Sequence, residues 1–190
     1  MKCIRPRHGS IPGSVSTANE REPLTESEVA QILPAVAQIE SVLDPEALLP
    51  AIAKELRSLV KYEALVLYLV GPDGAMHAAH STGEPKALSD PATGVAQLKE
   101  TVEKRQPFVR SHDSIHVLTE PLLYGEKLVG VVGLEANQSR TFGKRGVSLV
   151  HMIAGNLATA IENATLHRDA RWYAGLLAML YEAGKEMGAI

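Results

Sequence analysis

The sequence predicts an α+β fold with a central antiparallel sheet of five to six strands, helices on both sides of the sheet, and a long C-terminal helix. Three observations lead to this prediction. Two amphipathic helical patterns precede the first strand-length apolar run, and short apolar runs separated by Gly, Pro and Asp fill the middle of the chain. A helical apolar period then returns near residue 144 and continues almost to the end. Antiparallel strands joined by tight turns, with helices at the chain ends, are typical of layered α+β domains.

The composition is that of one globular domain with a tail. The chain has 190 residues, of which 45% are hydrophobic, 22% charged and 4% aromatic, and its net charge is −3. Few aromatic rings and no positive field argue against a nucleic-acid partner. The apolar runs are too short for membrane insertion. The single cysteine, Cys3, excludes an intrachain disulfide, and the first residues lack a signal-peptide pattern, so we expect a cytoplasmic location.

Three regions are expected along the chain. Residues 1–24 are rich in Gly, Ser, Pro and charge and predict a disordered tail, residues 25–168 the folded domain, and residues 169–190 a C-terminal helical extension. Thr25 and Glu28 have capping-box spacing at the start of the first helix, which Pro34 should kink or shorten. Asp44, followed by a proline, begins a second helix.

Five strands are predicted, at residues 64–70, 76–82, 108–110, 115–123 and 128–135. The first is apolar on both alternations, which predicts a central strand buried on both faces. The last two form a hairpin around a Gly–Glu turn. Between the second and third strands, Asp90 and Pro91 open a helix whose narrow apolar side would contain Val95, Leu98 and Val102.

The C-terminal third carries a family resemblance. The hairpin sequence at residues 121–135, with a proline, apolar residues, Gly-Glu and then apolar-Gly-Val, is followed by Phe142 and by the closing helix Ala-Ile-Glu-Asn-Ala at residues 160–164. This ordered series resembles the GAF domain, a small-molecule sensor and regulatory family with a PAS-like architecture. The stretch between residues 82 and 95 is shorter than in many members, which implies a small or closed pocket.

The residues that could perform chemistry are few. Relatives that reduce free methionine sulfoxide, or that attach a bilin, use cysteines, and no cysteine occurs after Cys3. We therefore expect no enzyme and no catalytic residue. Glu120 and Glu135 near the hairpin ends do not form a predicted catalytic pair, because no local pattern forces a raised pKa. His80 and two histidines at residues 112 and 116 could converge on iron, so a haem or iron gas sensor is a further alternative. No metal site is predicted, and no residue pattern specifies a cofactor.

The leading hypothesis is a non-catalytic signal-input domain that binds a small ligand, dimerises, or does both, and that transmits a signal through its terminal helices. The alternative is a ligand-free interaction module with a closed pocket. From strand alternation opposite the helix-packed face, the pocket residues would be Leu67, Leu69, His80, Leu98, Val102, His112, Leu118, Glu120 and Val132.

The long C-terminal helix predicts a homodimer. A helix that extends beyond its own sheet must bury its apolar side elsewhere, and a second copy of the chain is the simplest partner. The residues expected along this dimer helix are Val150, Ile153, Leu157, Ile161, Ala164, Leu176 and Leu180.

Overall fold

The computed structural model describes residues 16–17, 22–112, 114–137 and 142–187. Cys3 and most of the predicted tail at residues 1–24 lie outside these ranges, so disorder of that tail stays a prediction. Inside the tail, Ser16–Thr17 forms a two-residue strand, β1, which adds to the edge of the sheet.

The sheet is antiparallel throughout. After β1, its strands are β2 (Ala64–Val70), β3 (Met76–Thr82), β4 (Phe108–His112), β5 (Ile115–Tyr124) and β6 (Lys127–Ala136). Their order across the sheet is β1-β4-β5-β6-β2-β3. The five strands predicted from the sequence are all present, and β2 lies between β6 and β3 as an interior strand. The predicted α+β fold is confirmed.

Within the residues that the structure describes, four α-helices complete the fold. They are α1 (Glu26–Glu40), α2 (Pro45–Leu59), α3 (Ala96–Lys104) and α4 (Lys144–Met187), and one turn of π-helix at Pro91–Val95 precedes α3. Hydrogen bonds from Thr25 lower the pKa of the Glu28 carboxyl at the start of α1. Of the expected kink or shortening at Pro34, the shortening is wrong: α1 continues through Pro34, which lies on its exposed side, where water can satisfy the carbonyl that loses its partner.

Most helices pack on one face of the sheet. A single hydrophobic core joins α1, α2 and α4 to side chains that alternate along β2, β5 and β6, including Leu65, Leu67, Leu118 and Val132. We call this side the helix-packed face. α3 and the loop before it cover the other side, which we call the α3 face. None of the helices described in the structure is long and apolar enough to cross a membrane.

Candidate functional site

Strand register decides which side chains share each face of the sheet. Leu67 on β2 and Glu120 on β5 both lie opposite Val132 of β6, so all three point to the helix-packed face. The next residues along the same strands point to the α3 face. That face contains Val66, Tyr68, Val117, Thr119, Gly133 and Glu135.

The nine predicted pocket residues do not line one surface. The helix-packed face takes six of them, and α3 carries two more, on the other side of the sheet. The six are Leu67, Leu69, His80, Leu118, Glu120 and Val132. The two on α3 are Leu98 and Val102, and of the ninth, His112, only the backbone in β4 is described. The predicted face is therefore corrected. These strands carry apolar side chains on both faces, and the helices cover the face whose side chains were predicted to line an open pocket.

α3 also presents a different side from the one predicted. Val95 is 51% exposed, whereas Gln97 and Thr101 are fully buried against the sheet. The Gln97 amide donates to the carbonyls of Phe108 and Val117 and to the Thr119 hydroxyl, and the Thr101 and Thr119 hydroxyls are 2.6 Å apart. Buried polar groups that pair with one another favour a single arrangement, so this network holds α3 in place on β4 and β5.

The loop at residues 83–90 fills the remainder of the α3 face. Leu88 is 1% exposed and packs with Val66, Ala87 and Val117 in a second, smaller core. Its side chain lies directly over Gly133, where an added Cβ would approach the Leu88 Cδ2 atom to 2.7 Å. This loop therefore closes the face on which a ligand pocket was expected, as the short segment between residues 82 and 95 had suggested.

A buried carboxylate holds this loop against the sheet. Glu135 of β6 is 4% exposed, and its two oxygens accept the backbone N–H groups of Lys86, at 2.9 Å, and of Leu88. Burial raises the pKa of the Tyr68 phenol above its usual value, and the negative charge of Glu135 raises it further. Sequence reasoning singled out Glu135 as an acid but missed Leu88. Two features of the sequence could have indicated this contact: the apolar pair Ala87 and Leu88 in a polar loop, and Gly133 in the strand that faces it.

A cleft of about 440 Å³ opens beside the Glu135 carboxylate. It lies between the loop after β3 and the start of β5, at one end of the sheet. Its lining residues are Glu63, Glu84, Lys86, Ser114, Ile115, Glu135 and Asn137. The lining carries three carboxylates and one ammonium group, so the cleft favours a cation over an anion.

His80 lies far from the other two histidines proposed as iron ligands, because those two are on the neighbouring strands β4 and β5. His80 lies on β3 and His116 on β5, with β6 and β2 between them, so these two strands are about 14 Å apart. The two histidines are also offset along the sheet, because His80 is level with Val132 of β6 and His116 with Ala136. His116 is held by the Ser111 hydroxyl at 2.6 Å. Across the part of the chain that the structure describes, no group of three His, Cys, Asp or Glu side chains could hold a metal ion. The geometry gives no support to the gas-sensor alternative.

The GAF domain family model matches residues 44–163, which is more than half of the chain. The chain belongs to the GAF domain family. The matched region runs from the start of α2 to the buried part of α4, so α1 and the second half of α4 lie outside it. No curated protein sequence matches the chain significantly.

Solved structures share the GAF fold at low sequence identity. The GAF domain of an Acinetobacter phosphoenolpyruvate-protein phosphotransferase is 14% identical with a TM-score of 0.62, and the match covers 77% of this chain and 99% of that one. The corresponding GAF domain from Coxiella burnetii is 14% identical with a TM-score of 0.58, over 73% and 95%. Free methionine-R-sulfoxide reductase from Neisseria meningitidis is 16% identical with a TM-score of 0.57, over 76% and 95%. At these identities the likeness shows the fold.

The first half of α4 belongs to the core of this GAF domain. Five of the seven residues predicted for the dimer helix are buried there, at 5% exposure or less, and are not available to a second copy. They are Val150, Ile153, Leu157, Ile161 and Ala164. This part of the prediction is corrected, because the helical period that was assigned to a partner is used by the domain's own sheet. Leu176 and Leu180 are exposed.

The second half of α4 carries a broad apolar surface. Leu180 is 60% exposed, Trp172 63% and Met179 73%. A helix turns by about 100° per residue, so the following side chains lie on one side of it: Trp172, Tyr173, Leu176, Met179 and Leu180. We call this set the α4 stripe.

Two polar contacts fix α4 to the sheet before the α4 stripe begins. The His151 Nδ1 atom lies 2.7 Å from Oε1 of Glu120, which is 1% exposed. The Lys127 ammonium at the β5–β6 turn donates to both oxygens of Glu162, at 2.7 and 2.8 Å. The exposed half of α4 therefore continues from a half that is tied to β5 and to the turn.

Proposed function

We propose that this chain is a non-catalytic, regulatory GAF domain that transmits a signal through α4 to a second copy of itself. The observation that carries the proposal is the continuity of α4, which is one helix of 44 residues. Its first half packs on the sheet and its second half carries the exposed α4 stripe. A change at the sheet would therefore reach the dimer contact through a single rigid element.

The apolar content of the α4 stripe supports a second copy as its partner. Complete burial of a side chain such as leucine stabilises by about 1.5–3 kcal/mol. Four or five such residues from each of two copies can together exceed the cost of association, which is about 4–15 kcal/mol. The stripe would then pack against its own symmetry mate, as is usual for homodimers.

The proposal that the domain is not an enzyme has its own support. The α3 face is filled by Leu88, and the two acids singled out from the sequence already hold structural contacts, Glu120 with His151 and Glu135 with the covering loop. Some solved structures with this fold are methionine sulfoxide reductases. Reduction of free methionine-R-sulfoxide by the purified chain would contradict the proposal.

Sedimentation velocity tests the dimer. The expected result is a dimer at micromolar concentration that becomes a monomer in the Leu176→Glu/Leu180→Glu variant, with association weakened on the order of 100-fold because charges replace the centre of the stripe. The matched control is Ala174→Glu/Ala178→Glu, which places two charges at the same spacing on the opposite side of α4 and should leave the dimer intact. A monomeric wild-type chain at high micromolar concentration would refute the proposal, and so would equal dissociation of the two variants.

A further inference from the structure

The two backbone N–H groups that bind the Glu135 carboxylate could be replaced by the donors of a small cation. One oxygen accepts the N–H of Lys86 at 2.9 Å and the other accepts the N–H of Leu88. A carboxylate that receives one N–H on each oxygen has the arrangement in which it binds a guanidinium or amidinium group. Both donors are backbone groups of the loop at residues 83–90 and could be exchanged without breaking the sheet.

The cleft beside Glu135 gives such a molecule a route from solvent. Its volume of about 440 Å³ lies within the range of small-molecule sites, which is about 300–1,000 Å³. Glu63 and Glu84 add negative charge to the lining, against the single ammonium of Lys86. A carboxylate that is 4% exposed, in the lining of a negatively charged cleft, favours a charged donor over a neutral one.

Displacing the loop from Glu135 would also uncover an apolar chamber. Leu88 donates to Glu135 through its backbone and covers Gly133 with its side chain. If a ligand takes over the carboxylate, Leu88 loses this anchor, and the surface of Val66 and Val117 that it covers becomes accessible to the apolar part of the ligand.

We infer that Glu135 is the recognition group for a small cation with two adjacent N–H donors, a guanidinium or amidinium compound, which replaces the backbone N–H groups of Lys86 and Leu88 and displaces Leu88 from the α3 face. This inference rests on the proposed function, because it supplies the input that α4 would transmit. It assigns the ligand class to a site on the α3 face, away from the six residues of the helix-packed face.

Calorimetric titration of the full chain with benzamidine, and with its neutral isostere benzamide, tests the inference. Saturable binding of benzamidine and none of benzamide is expected. Glu135→Gln should weaken benzamidine binding at least tenfold, while Glu84→Gln, a charge-matched change in the same cleft, should weaken it by less than threefold. Leu88→Ala should tighten binding, because the closed state no longer competes with the ligand.

Three results would overturn the inference: no saturable binding of benzamidine at millimolar concentration, equal binding of benzamide, or unchanged binding by Glu135→Gln. If Glu135→Gln does not fold, the wild-type chain still decides the question. Benzamidine must then shift the backbone amide resonances of Lys86 and Leu88, and unshifted resonances refute the inference. The dimer is measured separately, so a monomer that binds benzamidine refutes only the proposed function, and a dimer that does not bind it refutes only this inference.

Discussion

Replacing Gly133 with alanine tests whether Leu88 closes the α3 face. The added Cβ would lie 2.7 Å from Cδ2 and 3.1 Å from Cδ1 of Leu88, so the leucine must move by about 0.7 Å while remaining packed among its neighbours. Overpacking of this kind costs about 1–3 kcal/mol. Alanine also reduces the conformational entropy of the unfolded chain, which offsets about 0.4–1 kcal/mol of this destabilisation. We expect Gly133→Ala to lower the free energy of unfolding by about 1–2 kcal/mol.

A double-mutant cycle with Leu88→Ala separates this contact from a general effect on β6. Leu88→Ala alone should lower the free energy of unfolding by about 2–5 kcal/mol, because it leaves a cavity over Gly133. In that background, Gly133→Ala should be neutral or slightly stabilising, because its methyl group enters the vacated space. The coupling between the two positions is then about 2 kcal/mol.

Urea denaturation followed by circular dichroism at 222 nm gives the four free energies, provided that each variant unfolds in a single transition with an unchanged m-value. Additivity of the two substitutions within about 0.5 kcal/mol would show that the side chains do not touch. The closed α3 face would then be refuted, together with the displacement of Leu88 that the benzamidine experiment assumes.

Three further outcomes are expected. Gly94→Ala should destabilise more than Gly133→Ala, by 3 kcal/mol or more on the same urea assay, because its Cβ would lie 2.3 and 2.4 Å from two backbone carbonyl oxygens that cannot rotate away; a cost below about 1 kcal/mol would contradict the tight approach. His151→Ala should cost about 1–3 kcal/mol by leaving the buried Glu120 carboxylate without its imidazole, and adding Glu120→Gln should recover part of that loss. Because burial and then the charge of Glu135 raise the pKa of Tyr68 above 10.0, the protonated phenol contributes stability that is present below pH 10 and is lost as the pH rises through the folded-state pKa. The absorbance titration at 295 nm should therefore lose its last phase in Tyr68→Phe, and an unchanged profile would contradict the raised pKa.

The sequence was sufficient for features that depend on local pattern. The hairpin of β5 and β6 follows from two apolar runs around a Gly–Glu turn, and the start of α1 follows from the spacing of Thr25 and Glu28. Each of these signals lies within one continuous stretch of the chain and has one physical solution.

The faces of the sheet could not be assigned in this way. β2 is buried on both alternations at its start, and the same holds for β5 and β6 along most of their length. Such a strand gives no sign of which side the larger helical layer will cover. The predicted pocket was placed on the alternation that packs against α1, α2 and α4, and a shift of one residue reverses every assignment.

The sequence also failed to predict which polar side chains of α3 are buried. The pattern of α3 predicted that Leu98 and Val102 would face the sheet, but Gln97 and Thr101 do so instead. Their burial is favourable only because Thr119 and two strand carbonyls, 11 to 22 residues away in sequence, complete their hydrogen bonds. A helical wheel of α3 contains no information about partners at that distance.

Because α4 is one continuous helix, it also fixes the angle, about the helix axis, between the GAF domain and its α4 stripe. From its start at Lys144 to its end at Met187 it spans about 66 Å. One residue inserted between Leu166 and Trp172 would turn the stripe by about 100° relative to the sheet and move it about 1.5 Å outward. Seven inserted residues would nearly restore its direction, about 10 Å further away. The orientation of any partner on the stripe is therefore set by a residue count, so length changes in this stretch should rotate that partner periodically while leaving the core of the domain intact.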